Sequence, residues 1–202
     1  MARLGLCSLG MVALLFGFPL AKAQEAPVRI RGTIERLDGD VYIVKSRAGD
    51  ELKMTLAENA LIVALIKATL ADIKQGSYIG VSGLPQPDGT QKALEVHIFP
   101  ENMRGVGEGH RGWDLQPSST MTNGNVEQAA ASSEGQVLML KYKDGEKRVI
   151  VSTETPIVVY VPGDKSELTP GAHIFVPAAV RQPDGTLRTP RVNVGRGTAP
   201  PM

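Results

Sequence analysis

Gln86-Pro87-Asp88-Gly89-Thr90 returns letter for letter as Gln182-Pro183-Asp184-Gly185-Thr186. The flanks of this pentapeptide agree at nearly constant spacing. Val41-Tyr42-Ile43-Val44-Lys45 matches Val137-Leu138-Met139-Leu140-Lys141, and Leu61-Ile62-Val63 matches Ile157-Val158-Val159. Gly32-Thr33-Ile34-Glu35 answers to Gly124-Asn125-Val126-Glu127, and residues 76–81 answer to residues 171–176. Solenoid repeats recur every ~20–50 residues; a longer period means a duplicated domain.

Each copy reads as short strands joined by tight turns. In the first, residues 29–36 alternate apolar Ile30 and Ile34 with polar neighbours, and an Asp38-Gly39 step leads into residues 41–44. Asp-Gly is the strongest short hairpin signal because its turn needs positive φ. It recurs at Asp88-Gly89, Asp144-Gly145 and Asp184-Gly185. Residues 51–56 place Leu52, Met54 and Leu56 on one face. The apolar run 61–66 predicts a separate strand buried on both sides, followed by strands at 78–82 and 92–99. One helical turn fits residues 69–74, with Gly76 as its stop. A longer helix over 57–74 fits the apolar spacing too, but the matching Thr155-Pro156-Ile157-Val158-Val159-Tyr160-Val161-Pro162 is β-branched and bracketed by prolines. The expectation is an all-β protein of two tandem small OB-like β-barrel domains, each of five or six strands with at most a short helical turn. The first occupies residues 24–100 and the second residues 122–195, with a connector at 101–121 and a disordered tail at 196–202.

The N-terminus reads as a secretory signal over residues 1–23. Arg3 precedes an uncharged, mostly apolar run, and Ala21-Lys22-Ala23 supplies the small-x-small cleavage pattern. The run carries Gly10, Gly17 and Pro19 and is too short for a spanning helix of ~20 apolar residues. Cys7, the single cysteine, lies inside this signal, so the mature chain has neither a disulfide nor a thiolate metal site. Cleavage removes Arg3 and Lys22 but no acid, which takes the formal net charge from +1 to −1. A chain so balanced has no broad field for nucleic acid or anionic lipid. No later segment is apolar enough to span a bilayer, and the expected location is periplasmic or secreted.

The repeated strand–Asp-Gly–strand pattern, the apolar strand before Gly-x-x-(Ile/Phe)-Val and the export signal together resemble an exported bacterial family of domains of unknown function. The resemblance covers residues 28–99 and 122–194. It implies an oligonucleotide/oligosaccharide-binding-like (OB-like) β-barrel in each copy.

The connector carries the unusual chemistry. It gathers Glu101, Met103, Arg104, Glu108, His110, Arg111, Trp113, Asp114 and Met121 among four glycines, with His97 just before it. Three readings stand. Trp113 packs on a barrel while Arg104 and Arg111 pair with Glu101, Glu108 or Asp114. Alternatively His97, Glu101, Glu108, His110 and Asp114 offer nitrogen and oxygen ligands to a divalent ion, or Met103 and Met121 with His110 offer a soft copper site. In ligand types, though not in spacing, the latter resembles the small periplasmic copper-efflux chaperone barrel. In the third reading Arg104, Arg111 and Trp113 hold a small ligand or an envelope protein partner. No cofactor is predicted; the connector's ligand types admit a metal ion.

Enzyme signatures are absent: no Gly-x-Ser-x-Gly, no His-Glu-x-x-His and no cysteine nucleophile in the mature chain. Gly105-Val106-Gly107-Glu108-Gly109 lacks the Lys-Ser/Thr of a phosphate loop. Binding of single-stranded nucleic acid needs a basic groove with stacking platforms, and the near-neutral mature part has seven aromatics. His173 reads as a half-buried strand residue. The sequence therefore predicts a non-enzymatic envelope binding protein, with a metal-binding accessory protein as the alternative.

Overall fold

The computed structural model describes residues 26–200; the expected signal peptide lies outside them. Twelve strands follow in order: β1 (Val28–Asp38), β2 (Val41–Ser46), β3 (Glu51–Ala68), β4 (Tyr78–Pro85), β5 (Gln91–Ile98), β6 (Gly109–Gly112), β7 (Thr120–Ser132), β8 (Gly135–Tyr142), β9 (Gly145–Ser152), β10 (Ile157–Pro162), β11 (His173–Arg181) and β12 (Leu187–Gly195). Three single turns of 3-10 helix accompany them, one of them Leu70–Asp72, inside the stretch where the sequence predicts a helical turn. The all-β expectation holds. Among the described residues no helix is long and apolar enough to cross a membrane.

The repeated pentapeptide builds the same turn twice. Asp88 accepts from the backbone N–H (3.0 Å) and hydroxyl (2.7 Å) of Thr90, and Asp184 does the same for Thr186 at 2.9 and 2.8 Å. Such aspartate-to-backbone bonds favour turns over continued strand. Gly89 and Gly185 supply the positive φ, 81° and 85°.

Strand pairing corrects the expected tandem arrangement, because neither repeat closes a barrel with its own strands. The first barrel runs β1–β2–β3–β12–β11 and back to β1. Three of its strands come from the first repeat and two from the second. The second barrel runs β4–β5–β9–β8–β7 and back to β4, with the reverse split. Each repeat has therefore given its last hairpin to the other. The second barrel is contiguous in sequence, from Tyr78 to Ser152, and interrupts the first, whose strands come from the two ends of the chain.

The exchange keeps the repeats equivalent. Gly32 pairs with Ile174, and its counterpart Gly124 pairs with Ile79, the counterpart of Ile174. Both glycines are required by close approach. A Cβ on Gly32 would lie 2.2 Å from the Lys45 carbonyl oxygen, and one on Gly124 would lie 2.6 Å from that of Lys141. Between the barrels, β10 pairs antiparallel with the second half of β3, from Ile157 opposite Ala68 to Pro162 opposite Val63. That ribbon lies on a pseudo-twofold axis relating the repeats.

A second correction concerns β3, expected as two strands and observed as one of 18 residues. Its counterpart is broken into β9 and β10 at Thr153–Pro156. Pro156 stands where β3 has Ala60, and proline cannot donate to a strand ladder.

Three apolar clusters follow. One fills the first barrel around Ile34, Met54, Val176 and Val192; another fills the second around Ile79, Val96, Leu140 and Val149. The third, Val63, Leu65, Val158, Tyr160 and Phe175, lies between the barrels, with Phe99, Met103 and Trp113 packed against it. Residues 196–200 lie along the first barrel: Arg196 pairs with Glu167 at 2.8 Å, and Arg47 donates to the Pro200 carbonyl.

Candidate functional site

The third cluster borders a polar region at the barrel junction. A slip in register between Ser82 and Gly83 turns β5, so that Val96 faces the second barrel while Glu95 and His97 face the junction. A matching slip between Thr189 and Arg191 aims Arg191 and Asn193 there from β12. Strands β4 and β7 add Ser82 and Asn123. Glu95 and His97 are each 1% exposed and Ser82 is 0% exposed.

The polar side chains are incompletely satisfied. Both Glu95 oxygens, His97 Nε2, Ser82 Oγ, Asn123 Oδ1, Arg31 Nε and Trp113 Nε1 are buried without a hydrogen-bond partner in the protein. Native proteins pair the great majority of such atoms, so this concentration in one place is informative. His97 Nε2 lies 3.6 Å from Glu95 Oε1, yet the two do not form an ion pair. Burial pushes the Glu95 carboxyl up to about 8 against the weaker pull of Arg31 and Arg47, and burial, helped by Arg191, pushes His97 down to about 3. At neutral pH a protonated carboxyl faces a neutral imidazole. The phenol of Tyr160, whose ring meets that of His97 edge-on at 5.7 Å, is also raised by burial.

His97, Asn123, Trp113 and Tyr160 among these groups line a cavity of about 110 Å³. Phe99, Trp113, Tyr160 and Phe175 form its aromatic walls, and Arg111 and Arg191 its charged ones. His97, Asn123 and Asn193 add polar atoms. Arg191 lies 5.4 Å from the Tyr160 ring centroid and donates to Asn193 at 2.9 Å. Arg111 donates to the Gly107 carbonyl at 2.7 Å and lies 5.8 Å from the Trp113 ring.

The connector closes one side of this cavity by touching both barrels. Arg104 makes a two-pronged pair with Glu101 (2.7 and 2.6 Å), donates to the Gly76 carbonyl and bonds Asn125. Glu108 accepts from the backbone N–H of Lys143, and the Val106 carbonyl accepts from Tyr78 and Asn123. On the other barrel, Arg29 stacks 4.2 Å from the Trp113 ring centroid, while Asp114 accepts from Arg29 at 3.2 Å and Arg31 at 2.7 Å. The Glu101–Arg104 pairing is as the sequence suggests. Arg111, by contrast, meets a backbone carbonyl, and the partners of Asp114 come from β1.

The candidate metal ligands are dispersed. His97 is buried at the junction, whereas His110 is exposed, its Nδ1 2.8 Å from Thr122 Oγ1. Glu101, Glu108 and Asp114 are held by Arg104, Lys143 and the β1 arginines respectively. Met103 packs on the aromatic cluster and Met121 lines the cavity. Among the described residues no three His, Cys, Asp or Glu side chains gather as a metal site. His173 is exposed at the start of β11, its Nδ1 2.9 Å from Thr33 Oγ1.

Sequence reasoning reached Trp113, Arg111 and His97, but missed Arg191, Asn193, Glu95, Asn123 and the aromatic wall. One signal was available: where β5 has Glu95 and His97, β12 has Arg191 and Asn193, so the repeats differ in charge at matching positions. No family model matches the chain, and neither a curated protein nor a solved structure is significantly similar to it.

Proposed function

We propose that the chain is a non-enzymatic binding protein of the bacterial envelope, exported by its N-terminal segment, which holds a small ligand at the barrel junction. The observation that carries this reading is the cavity where aromatic rings, two arginines and unpartnered buried polar atoms converge. Ligand sites have this composition: mostly apolar walls with a few polar groups that fix orientation. Residues of both repeats build the site, so the duplication creates it. The strand order of the first barrel, 1-2-3-5-4 counting β11 and β12 as fourth and fifth, supports the OB-like description. The exported, non-enzymatic character rests on the sequence: the Ala21-Lys22-Ala23 pattern and the lack of a nucleophile or metal-protease motif.

Isolating the mature protein from a bacterial periplasm and weighing it under native and denaturing conditions tests the reading. A non-covalent mass lost on denaturation and absent from Trp113→Ala supports it. No bound mass, together with no thermal stabilisation by any member of a small-metabolite library, sinks it, because a ligand selective for the native state must raise its stability.

A further inference from the structure

Resting on that reading, we infer that the ligand is a small organic anion: one carboxylate on a flat apolar body of about one ring.

The first ground is positive charge at the cavity that meets no carboxylate. Among the described residues the two arginines lining the cavity, Arg111 and Arg191, meet none; their hydrogen bonds go to the Gly107 carbonyl and the Asn193 amide. Burial lowers the pKa of both, Arg191 half-buried on β12 and Arg111 at the exposed rim. A half-buried cation without a carboxylate is costly, and an incoming carboxylate relieves that cost through charge-assisted hydrogen bonds.

Second, the surroundings contribute no competing negative charge. No acid lines the cavity. Glu95, the nearest buried carboxyl, is neutral at physiological pH, and Asp114 is occupied by Arg29 and Arg31. Third, the 1% exposed His97 lines the cavity with Nε2 unpartnered, as does Trp113 with its indole N–H.

Size and shape narrow the class. The cavity volume of about 110 Å³, below the ~150 Å³ of an apolar cavity that accepts benzene, limits the buried body to at most one ring. Four aromatic side chains in the walls favour a flat body over a branched one. Inorganic phosphate has the charge but leaves the apolar walls unfilled, and a nucleotide is too large.

Titration calorimetry of the mature protein with benzoate, benzamide and benzamidine tests this at one size and shape with charges of −1, 0 and +1. Benzoate binds, and benzamide and benzamidine bind at least about tenfold more weakly. Arg111→Gln and Arg191→Gln each weaken benzoate about tenfold and leave benzamide unchanged. Circular dichroism confirms the fold of each variant, and if Arg191→Gln does not fold, Arg111→Gln at the exposed rim decides. Equal affinity for benzamide, or benzoate binding that survives both substitutions, overturns the anion class while the cavity remains a binding site. No binding of any probe also overturns it, and leaves the broader reading to the periplasmic isolation.

Discussion

The two barrels share a strand order and differ in how they close. The first is sealed by a long parallel seam, β12 against β3 from Leu187 opposite Met54 to Gly195 opposite Leu65. The second is sealed in two pieces, Gln91 and Lys92 opposite Val149 and Ile150 of β9 and, past the break at Thr153–Pro156, Val96 to Ile98 opposite Ile157 to Val159 of β10. Their interiors differ in step. At one end the first packs Leu187 with Ile30 and Val28. At the matching positions the second has Gln91, Thr122 and Thr120, with the Gln91 amide donating to Thr120 at 3.0 Å and accepting from Thr122 at 2.8 Å. Three matching positions are apolar in one barrel and polar in the other. A duplicated fold tolerates a polar core when every partner changes with it, since an orphaned group is what costs.

The largest expected effect comes from cutting the chain in two ways. Residues 68–160 hold the closed ring of strands together with Ala68, Ile73 and Ile157 of its core, so this fragment folds as a monomer with cooperative thermal unfolding by circular dichroism. Residues 26–100 form one full repeat but lack β11 and β12, and yield no folded monomer. A folded monomeric 26–100 would mean that a repeat can close on itself and would abolish the contrast.

Next come the close approaches at matching glycines. Gly32→Val and Gly124→Val each cost about 3 kcal/mol or more in urea unfolding, because a side chain must displace the backbone of the neighbouring strand. Equal losses would show that both barrels contribute to one cooperative unit; a smaller loss for Gly124→Val would mark the barrel with the broken seam as the more yielding.

The core exchange sharpens the comparison further. Leu187→Gln buries an amide where its neighbours are Ile30 and Val28, and loses about 2–3 kcal/mol. Gln91→Leu leaves the Thr122 hydroxyl with only the His110 ring as partner and costs about 1 kcal/mol, which adding Thr120→Val and Thr122→Ile recovers. Failure of the triple variant to recover would show that the polar set is not a self-contained unit.

The smallest effect is a pH dependence at the junction. Glu95 binds its proton more tightly in the fold, with a pKa of about 8, so its stabilisation is full below the ordinary carboxyl range and fades as pH rises toward 8. His97 is held neutral, so its contribution is present above the ordinary imidazole range and fades as pH falls toward 3. Arg31 and Arg47 act on Glu95, and Arg191 and Tyr160 stand beside His97. Thermal melts therefore show maximal stability at about pH 4.5–6.5, where the two trends oppose, and a decline on either side. Glu95→Gln removes the alkaline decline, and His97→Asn, the residue β12 has at that place, reduces the acid one. An unchanged alkaline limb in Glu95→Gln would locate the titration elsewhere.

The strands were legible because alternation and Asp-Gly turns act locally. Residues 41–44 and 78–82 lie within observed strands, and the prolines around residues 157–161 correctly excluded a long helix. The exchange of hairpins was not legible. Apolar alternation states which face of β11 is buried, but β1 and β7 offer nearly the same edge, Gly-Thr-Ile against Gly-Asn-Val. For the site, Trp113 and the arginines stood out in the connector, whereas Glu95 and Arg191 are single polar residues inside strands that pattern reading assigns to solvent. Only the register slips at Ser82/Gly83 and Thr189/Arg191 turn them inward.

The exchange also sets an order of events as the chain is made. The second barrel's ring of strands is complete once residue 152 exists, and Ile157 follows soon after to fill its core. The first has three strands in place from the start but waits for β11 and β12, its ends joined only after everything between them has condensed. Pairing across so long a separation is slow, since loop closure must precede any gain from contact. Refolding should thus run inside out, a fast phase for the nested barrel and a slower one as the outer barrel closes around the chain's two ends. The junction cavity, lined by residues of both barrels, forms only in that last step.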